Sequence, residues 1–315
     1  MMHEIYLPFS EETFRRHFAQ TYSGKVPQDN SVKHLEYYRR SIERYRRYIS
    51  ESGVENSSSL SEVKLPCQIE KDERFWTAAC WMSIYYSKSR REDLTRLFQR
   101  AFGDIPPLGN KTTWEECLTG DLYLFFESNL PSPKTYRKWL QENLEHRHLI
   151  PNVLKSNNGK KNLEGPTNVD ALLLNETNGF AMIVEAKVLS DISCQITYDV
   201  MRNQIARNVD VMLEKNPGLC PPLNRRDPDK SLFMLLTPRV FQKNPESRFY
   251  GYKFQKYREQ PNSLANDLPH RLDSDWNNIS ERLGWLTWED FREINPDCCN
   301  WIGKHLEVKG LSIKK

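Results

Sequence analysis

Two apolar, β-prone runs lie close together in the middle of the chain, and each contains charged residues. The first run is Val169–Leu174 and the second is Phe180–Val188. They flank an Asn-Gly turn at residues 178–179, which predicts a β-hairpin. The charged residues within the runs are Asp170, Glu185 and Lys187. A buried charge is costly unless it is paired or bound to a metal, so these three residues are candidates for function.

The periodicity of a strand restricts where these charges can point. Glu185 and Lys187 are two residues apart, so they project from the same face of their strand. With a two-residue turn, Asp170 pairs with Lys187, and a turn two residues longer places Asp170 opposite Glu185. All three side chains share one face in both registers. A turn with an odd number of residues would move Asp170 to the other face, unless a bulge restored it.

This set of side chains suits metal-assisted chemistry on phosphates. Two neighbouring carboxylates attract a hard cation such as Mg²⁺, for which Mn²⁺ is an expected substitute. The metal polarises a phosphate oxygen and lowers the pKa of a bound water, while an adjacent lysine offsets the charge that builds up on the phosphate. Glu-x-Lys also occurs at residues 62–64 and 307–309, but only Glu185 follows an apolar run with an Asp-bearing run upstream.

An aspartate on one strand and Glu-x-Lys on the next resembles the PD-(D/E)xK nuclease superfamily, which has a restriction-endonuclease-like fold. The resemblance implies that Asp170 and Glu185 bind Mg²⁺ and that Lys187 is catalytic. Members often place a catalytic Gln on the following helix, for which Gln204 is the candidate, with Arg207 and Asn208 one turn beyond. Members also often carry a Glu on the helix before the first strand. Glu142 and Glu145 are available, but both point away from the predicted buried stripe, so this role stays unassigned.

The rest of the pattern predicts an α/β protein with a mixed central sheet flanked by helices and a helical N-terminal region. Residues 1–110 form this N-terminal region, which we expect to position substrate, and residues 111–315 form the nuclease-like domain. Helices are predicted at 1–50, 71–102 (two helices), 114–129, 133–145 and 197–214. Further strands are predicted at 149–154 and 231–237, and Thr287 is predicted to cap a helix that follows a strand or turn. From about residue 133 to residue 241, the predicted order is helix, strand, strand, strand, helix, strand. This is the order that the resemblance implies for the core.

Composition excludes some classes of protein and leaves others open. The chain has 315 residues, a formal net charge of +3 and seven cysteines without a Cys-x-x-Cys pair. It contains no apolar run of membrane-spanning length and no signal peptide at its start, so we expect a cytoplasmic protein with reduced thiols and no membrane partner. Phosphate loops and serine-hydrolase motifs are missing from the sequence.

Two basic helices are candidates for contact with nucleic acid. The first carries an arginine cluster on its outer face, made of Arg39, Arg40, Arg44, Arg46 and Arg47. The second carries Lys88, Arg90, Arg91, Arg96 and Arg100. Clustered cations bind phosphates irrespective of sequence, although a solvated helix face would have the same pattern.

The sequence therefore predicts a Mg²⁺-dependent nuclease, with DNA favoured over RNA, that acts in restriction, defence or repair. The alternative is a non-catalytic nucleic-acid-binding or assembly protein that retains the fold. Cleavage specificity and a homo-oligomeric state both stay open.

Overall fold

The central sheet of the protein has five strands, which lie side by side in chain order in the computed structural model. The residues described are 9–23, 26–51, 72–109, 112–147, 163–192, 199 and 201–296. The strands of the sheet are β3 (Leu122–Leu130), β4 (Thr167–Asn175), β5 (Ala181–Ala186), β6 (Ser231–Thr237) and β7 (Leu283–Thr287). The first three strands pair antiparallel, and β5, β6 and β7 pair parallel. The sheet is therefore mixed, as the sequence predicts.

Outside the central sheet, the described structure contains α-helices, short 3-10 turns and a small hairpin. The helices are α1 (Glu11–Arg15), α2 (Ser31–Glu51), α3 (Glu73–Tyr85), α4 (Arg90–Phe102), α5 (Trp114–Leu118), α6 (Lys134–Glu142), α7 (Leu144–Arg147), α8 (Gln204–Met212), α9 (Arg239–Lys243), α10 (Phe249–Glu259), α11 (Leu264–Asp267), α12 (Trp276–Glu281) and α13 (Trp288–Ile294). The hairpin consists of β1 (Thr21–Ser23) and β2 (Val26–Gln28). None of the described helices is long and apolar enough to cross a membrane.

The two faces of the sheet pack against different sets of helices. On the α3 face, Leu173 and Val184 belong to a core that includes Phe75 of α3 and residues of α2, α4 and α13. On the α8 face, Ile183 belongs to a core that includes Ile205 of α8 and residues of α10. Alternate residues of β5 therefore enter opposite cores, and all six residues of β5 are buried. Burial on both faces explains why this strand is an almost continuous apolar run.

One predicted helix is wrong over most of its length. Residues 114–129 are predicted to be helical, but the helix ends at Leu118 and β3 begins at Leu122. Gly120 lies between them at φ +122°, a conformation that side-chain-bearing residues rarely adopt. The apolar residues of β3 fit both the period of a helix and the period of a strand. Pairing with β4 selects the strand.

Other predicted elements are confirmed with shifted ends, and one was missed. The N-terminal region contains the long helix α2 but also the β1–β2 hairpin, which the prediction of continuous helix did not include. The helix predicted at 197–214 is seen as α8, at 204–212. Thr287 caps α13 in a capping box with Asp290, as predicted. The strand predicted at 149–154 lies outside the described residues.

Gly120 provides a test of this local structure. A Cβ atom at Gly120 would lie 2.5 Å from the Thr177 hydroxyl in the β4–β5 turn, in addition to the unfavourable φ. We expect Gly120→Ala to lower the free energy of unfolding by about 1–3 kcal/mol, measured by urea denaturation. Gly218→Ala is the matched control, because a Cβ there meets nothing within 4 Å. Equal urea midpoints for the two variants would contradict the inference that the backbone at Gly120 requires a glycine.

Candidate active site at the end of the central strands

The register of β4 and β5 brings the three predicted residues to one end of the sheet. Ala171 pairs with Val184 and Leu174 pairs with Ala181, so the turn is the longer of the two even turns considered above. One step beyond the last pair, Asp170 lies across from Glu185. The backbone N–H of Ala186 donates to Asp170 Oδ2 at 2.7 Å, which fixes the aspartate against the end of β5.

Glu185 and Lys187 form a buried ion pair. Lys187 Nζ donates to Glu185 Oε1 at 2.6 Å, and the two residues are 5% and 0% exposed. Burial alone would lower the pKa of Lys187, but the carboxylates of Glu185, Asp170 and Glu73 outweigh that effect and raise it above its ordinary value. Lys187 is therefore a protonated donor at neutral pH.

Asp170 is the half-buried member of the set. Its pKa is well above the ordinary value, first because of desolvation and then because of repulsion by Glu185. The positive charge of Lys187 offsets part of this increase. When Asp170 is ionised, two carboxylates and one lysine leave an excess of negative charge at the end of β4 and β5, which a divalent cation would neutralise.

Glu73 belongs to this cluster, although the sequence reasoning did not select it. It is the first residue of α3, and its Oε2 lies 3.8 Å from Lys187 Nζ. Its Oε1 accepts a hydrogen bond from the Val188 backbone N–H at 3.1 Å and another from the Ser190 hydroxyl. Burial raises the pKa of Glu73. It lies more than one hundred residues before Lys187, so no local spacing could have indicated the contact.

Glu127 is a second carboxylate that the sequence reasoning missed. On either side of it, Phe126 pairs with Ala171 and Ser128 with Val169, which puts Glu127 level with Asp170 on the neighbouring strand. Glu127 itself adopts φ +50°, a strained conformation for a residue other than glycine, and such strain is concentrated at functional sites. Because residues 114–129 are predicted to be helical, the sequence did not indicate that Glu127 lies beside Asp170.

The environment of Glu127 explains how a third carboxylate is tolerated there. Glu127 is 8% exposed, accepts a hydrogen bond from Asn168 Nδ2 at 2.6 Å and lies 3.4 Å from Arg74 Nε. Desolvation raises its pKa, and Arg74 partly opposes that change. The charge of Glu127 also contributes to the raised pKa of Asp170. Glu127, Asp170 and Glu185 therefore form a row of carboxylates across three adjacent strands.

On α8, the residue that reaches this cluster is Asn208. Its Nδ2 donates to Glu185 Oε2 at 2.6 Å, and the residue is fully buried. Its Oδ1 has no hydrogen-bond partner among the described residues. The predicted Gln204 is the half-buried first residue of α8, and its backbone carbonyl accepts from Asn208 Nδ2 at 3.1 Å. Asn208 thus links the start of α8 to Glu185.

The arginine cluster of α2 has a different environment. Arg39 pairs with Glu11, with Nε 2.9 Å from Oε2, and Arg40 pairs with Glu36 at 2.7 Å. Both arginines are exposed. Arg44, Arg46 and Arg47 belong to α2, but their side chains lie outside the described part of the structure.

The oxygen atoms of the cluster fit a hard cation with few protein ligands. Among the described residues, no three Asp, Glu, His or Cys side chains come together as a metal cage. Mg²⁺ does not require such a cage, because it is usually bound by one or two carboxylates and retains several waters. Asp170 and Glu185 supply two carboxylates. Asn208, which contacts Glu185, adds a buried acceptor for a bound water, because its Oδ1 has no partner in the part of the chain that the structure describes.

The chain matches none of the known protein-family models, curated proteins or solved structures with which it was compared.

The raised pKa of Asp170 predicts how the metal-free protein responds to pH. An aspartate of raised pKa stabilises the fold below its unfolded pKa of about 3.9, and this contribution is lost as pH rises through the folded pKa. We therefore expect Asp170→Asn to be increasingly more stable than the wild type from about pH 4 upward, by at most about 1.4 kcal/mol per pH unit. Urea unfolding in EDTA measures the difference. The exposed Asp104→Asn is the control, and a difference that does not change with pH would contradict the assignment.

Proposed function

We propose that the protein is a metal-dependent nuclease that hydrolyses phosphodiester bonds, with DNA favoured over RNA. The observation that carries this proposal is the meeting of Asp170, Glu185 and Lys187 at one end of the sheet, through the register of β4 and β5. Proteins rarely bury two carboxylates and an ammonium group together without a use for them, and strongly perturbed groups concentrate at functional sites.

The fold supports the same proposal. Three antiparallel strands, then a helix, then a parallel strand agree with the order of elements that resemblance to the PD-(D/E)xK superfamily implies, except that α6 and α7 lie between the first two strands. Among the described residues, the first strand of this order is β3. Glu73, on a helix before that strand, fits the upstream glutamate that members often carry, and it replaces Glu142 and Glu145 as candidate. Both of those glutamates are exposed on α6 and α7.

In the proposed mechanism, Asp170 and Glu185 would hold Mg²⁺, with Mn²⁺ as a substitute. When bound, the cation polarises the phosphate and lowers the pKa of a coordinated water. Asn208 fixes Glu185 by binding its Oε2, as residues behind metal ligands commonly do. Protonated Lys187, held between Glu185 and Glu73, donates to a phosphate oxygen and offsets the charge that develops there.

One observation favours the alternative of a non-catalytic protein that retains the fold. Lys187 already neutralises Glu185 at 2.6 Å, so the pair is charge-compensated without a metal. In that case the cluster would stabilise the end of the sheet, and nucleic acid or a protein partner would bind elsewhere. Metal binding separates the two functions, because only the nuclease requires a divalent cation at Asp170. A cytoplasmic role in restriction, defence or repair belongs to the nuclease proposal.

The nuclease proposal predicts metal-dependent cleavage that requires Asp170 and Lys187. Plasmid DNA, single-stranded DNA and RNA are incubated with Mg²⁺, Mn²⁺ or EDTA, and we expect cleavage only with metal. Asp170→Asn and Lys187→Ala should abolish it, and Lys138→Ala, an exposed lysine on α6, should not. Lys187→Ala leaves a buried carboxylate without its partner and so also costs stability. Asp170→Asn, which keeps the size of the side chain, is therefore the decisive variant.

Metal binding gives a readout that does not depend on cleavage. Mg²⁺ should raise the melting temperature of the wild type but not that of Asp170→Asn, because a ligand stabilises only the state that it binds. A metal-induced shift that is equal in both proteins would exclude Asp170 as a ligand. Full cleavage activity in EDTA would exclude the mechanism as written.

The arginine cluster of α2 makes a separate prediction about duplex binding. If Arg39 and Arg40 exchange their surface ion pairs for phosphates, Arg39→Gln/Arg40→Gln should weaken binding to all sequences equally. The slope of log K against log salt should flatten by about 0.9 per lost contact. Fluorescence anisotropy in EDTA measures the slope, with the exposed pair Lys134→Gln/Lys138→Gln on α6 as control. An unchanged slope would assign both arginines to their pairs with Glu11 and Glu36.

A further inference from the structure

A cavity of about 470 Å³ lies at the opposite end of α3 from the candidate active site. The residues of its lining that bear on its chemistry are Tyr85, Tyr86, Lys88, Arg90, Arg91 and Glu92. They belong to the end of α3, the turn that follows and the start of α4. Glu73 begins α3 and Tyr85 ends it, so about 18 Å of helix separates the cavity from the candidate active site.

The lining of the cavity carries more positive than negative charge. Lys88, Arg90 and Arg91 line it, and none of them forms an ion pair with any residue of the described ranges. In contrast, Arg100 on the same helix α4 pairs with both Asp290 and Glu293. Three cations around one concave surface, opposed by the single acid Glu92, attract an anionic ligand.

Two tyrosine rings in the cavity wall are fixed by hydrogen bonds. The Tyr85 hydroxyl donates to the Leu122 carbonyl at 2.6 Å, and the guanidinium of Arg90 lies 5.0 Å from the centre of the Tyr85 ring. Tyr86 is 44% exposed, and its hydroxyl lies 2.9 Å from His17 Nε2. The Tyr86 ring is therefore presented to solvent in a fixed orientation.

The protonation state of His17 explains how Tyr86 is held. His17 Nδ1 lies 2.8 Å from the Leu124 carbonyl, which can only accept, so Nδ1 carries the proton. Burial lowers the pKa of His17 and keeps the ring neutral, so Nε2 accepts from the Tyr86 hydroxyl. A ring that is already ordered can stack on a ligand without the entropic cost of being immobilised.

We propose that this cavity binds a nucleotide with an unpaired base, which stacks on Tyr86 while its phosphate contacts Lys88, Arg90 and Arg91. Stacking on an aromatic ring together with clustered cations is how proteins bind single-stranded nucleic acid without sequence preference. The volume of the cavity lies within the range of about 300–1,000 Å³ found for ligand sites. The nucleotide is either free or part of a strand. This binding requires no metal, so it is independent of the proposed nuclease activity.

Binding in EDTA tests the proposal. The probe is a fluorescein-labelled oligothymidylate of about ten nucleotides, followed by anisotropy, and a duplex of the same length is the comparison. Tyr86→Leu should weaken binding of the single strand by roughly fivefold or more. Tyr86→Phe, which keeps the ring but loses the hydrogen bond to His17, should weaken it less. Lys88→Gln/Arg91→Gln should flatten the salt slope by about 0.7 per lost contact.

Arg96→Gln is the matched control for the charged variants. Arg96 is an exposed arginine on α4 that does not line the cavity and has no ion pair with the described residues. We expect its binding and salt slope to equal those of the wild type. Melting temperatures establish that each variant is folded. If Tyr86→Leu is not folded, the surface variant Lys88→Gln/Arg91→Gln still tests the proposal.

Competition with adenosine 5′-monophosphate distinguishes the two sources of the ligand. If the monophosphate displaces the oligonucleotide, the cavity accepts a free nucleotide. If the cavity variants weaken oligonucleotide binding and the control variant does not, the cavity accepts a strand. The proposal is overturned if the cavity variants bind as the wild type does, if Arg96→Gln has the same effect as Lys88→Gln/Arg91→Gln, or if the cavity variants weaken binding of the duplex as much as binding of the single strand.

Discussion

The antiparallel pairing of β4 with β5 is the constraint on which the candidate active site depends. A shift of one residue would turn Asp170 to the opposite face of the sheet and separate it from Glu185. The four-residue turn between the strands prevents that shift. It is closed by the hydrogen bond from the Asn175 N–H to the Phe180 carbonyl and contains Gly179 at φ +81°. A Cβ at Gly179 would lie 2.9 Å from the side chain of Asp227, so the turn is also fixed by its neighbour.

Buried charge at the end of these strands is tolerated because protein groups surround it on both faces of the sheet. Glu73 approaches Lys187 from α3, and Asn208 approaches Glu185 from α8. A second buried network holds α8 in place. Arg202, which is fully buried, pairs with Glu164 at 2.8 Å and also with Asp210. Glu164 precedes β4 and Asp210 lies in α8, so the network joins the two elements that carry Asp170 and Asn208. Breaking a buried pair of this kind is strongly destabilising, although forming it contributes little net stability.

Helix α3 connects the two functional regions that we propose. Its first residue, Glu73, contacts Lys187, and its last, Tyr85, lines the basic cavity. Its buried residues, among them Phe75 and Trp81, pack into the core on the α3 face of the sheet. The distance and orientation between the carboxylates around Lys187 and the basic cavity are therefore set by a well-packed helix. A strand held at both ends of α3 would span a fixed length.

The sequence alone determined the parts of the structure that local pattern specifies. Apolar runs with turn residues between them predicted β4, β5 and β6, and strand periodicity placed Glu185 and Lys187 on one face. The capping pattern at Thr287 predicted the start of α13. These features depend on neighbouring residues, so a window of the sequence contains the information that they need.

Tertiary structure decided the features that depend on distant residues. The segment 122–130 has an apolar pattern compatible with helix or strand, and only its pairing with β4 made it a strand. That pairing placed Glu127 level with Asp170, and the packing of α3 brought Glu73 to Lys187. On α8, the orientation of the helix selected Asn208 rather than Gln204 for contact with Glu185. Each of these contacts joins residues far apart in the chain. Their meeting is set by the packing free energy of the whole core, which no local periodicity encodes.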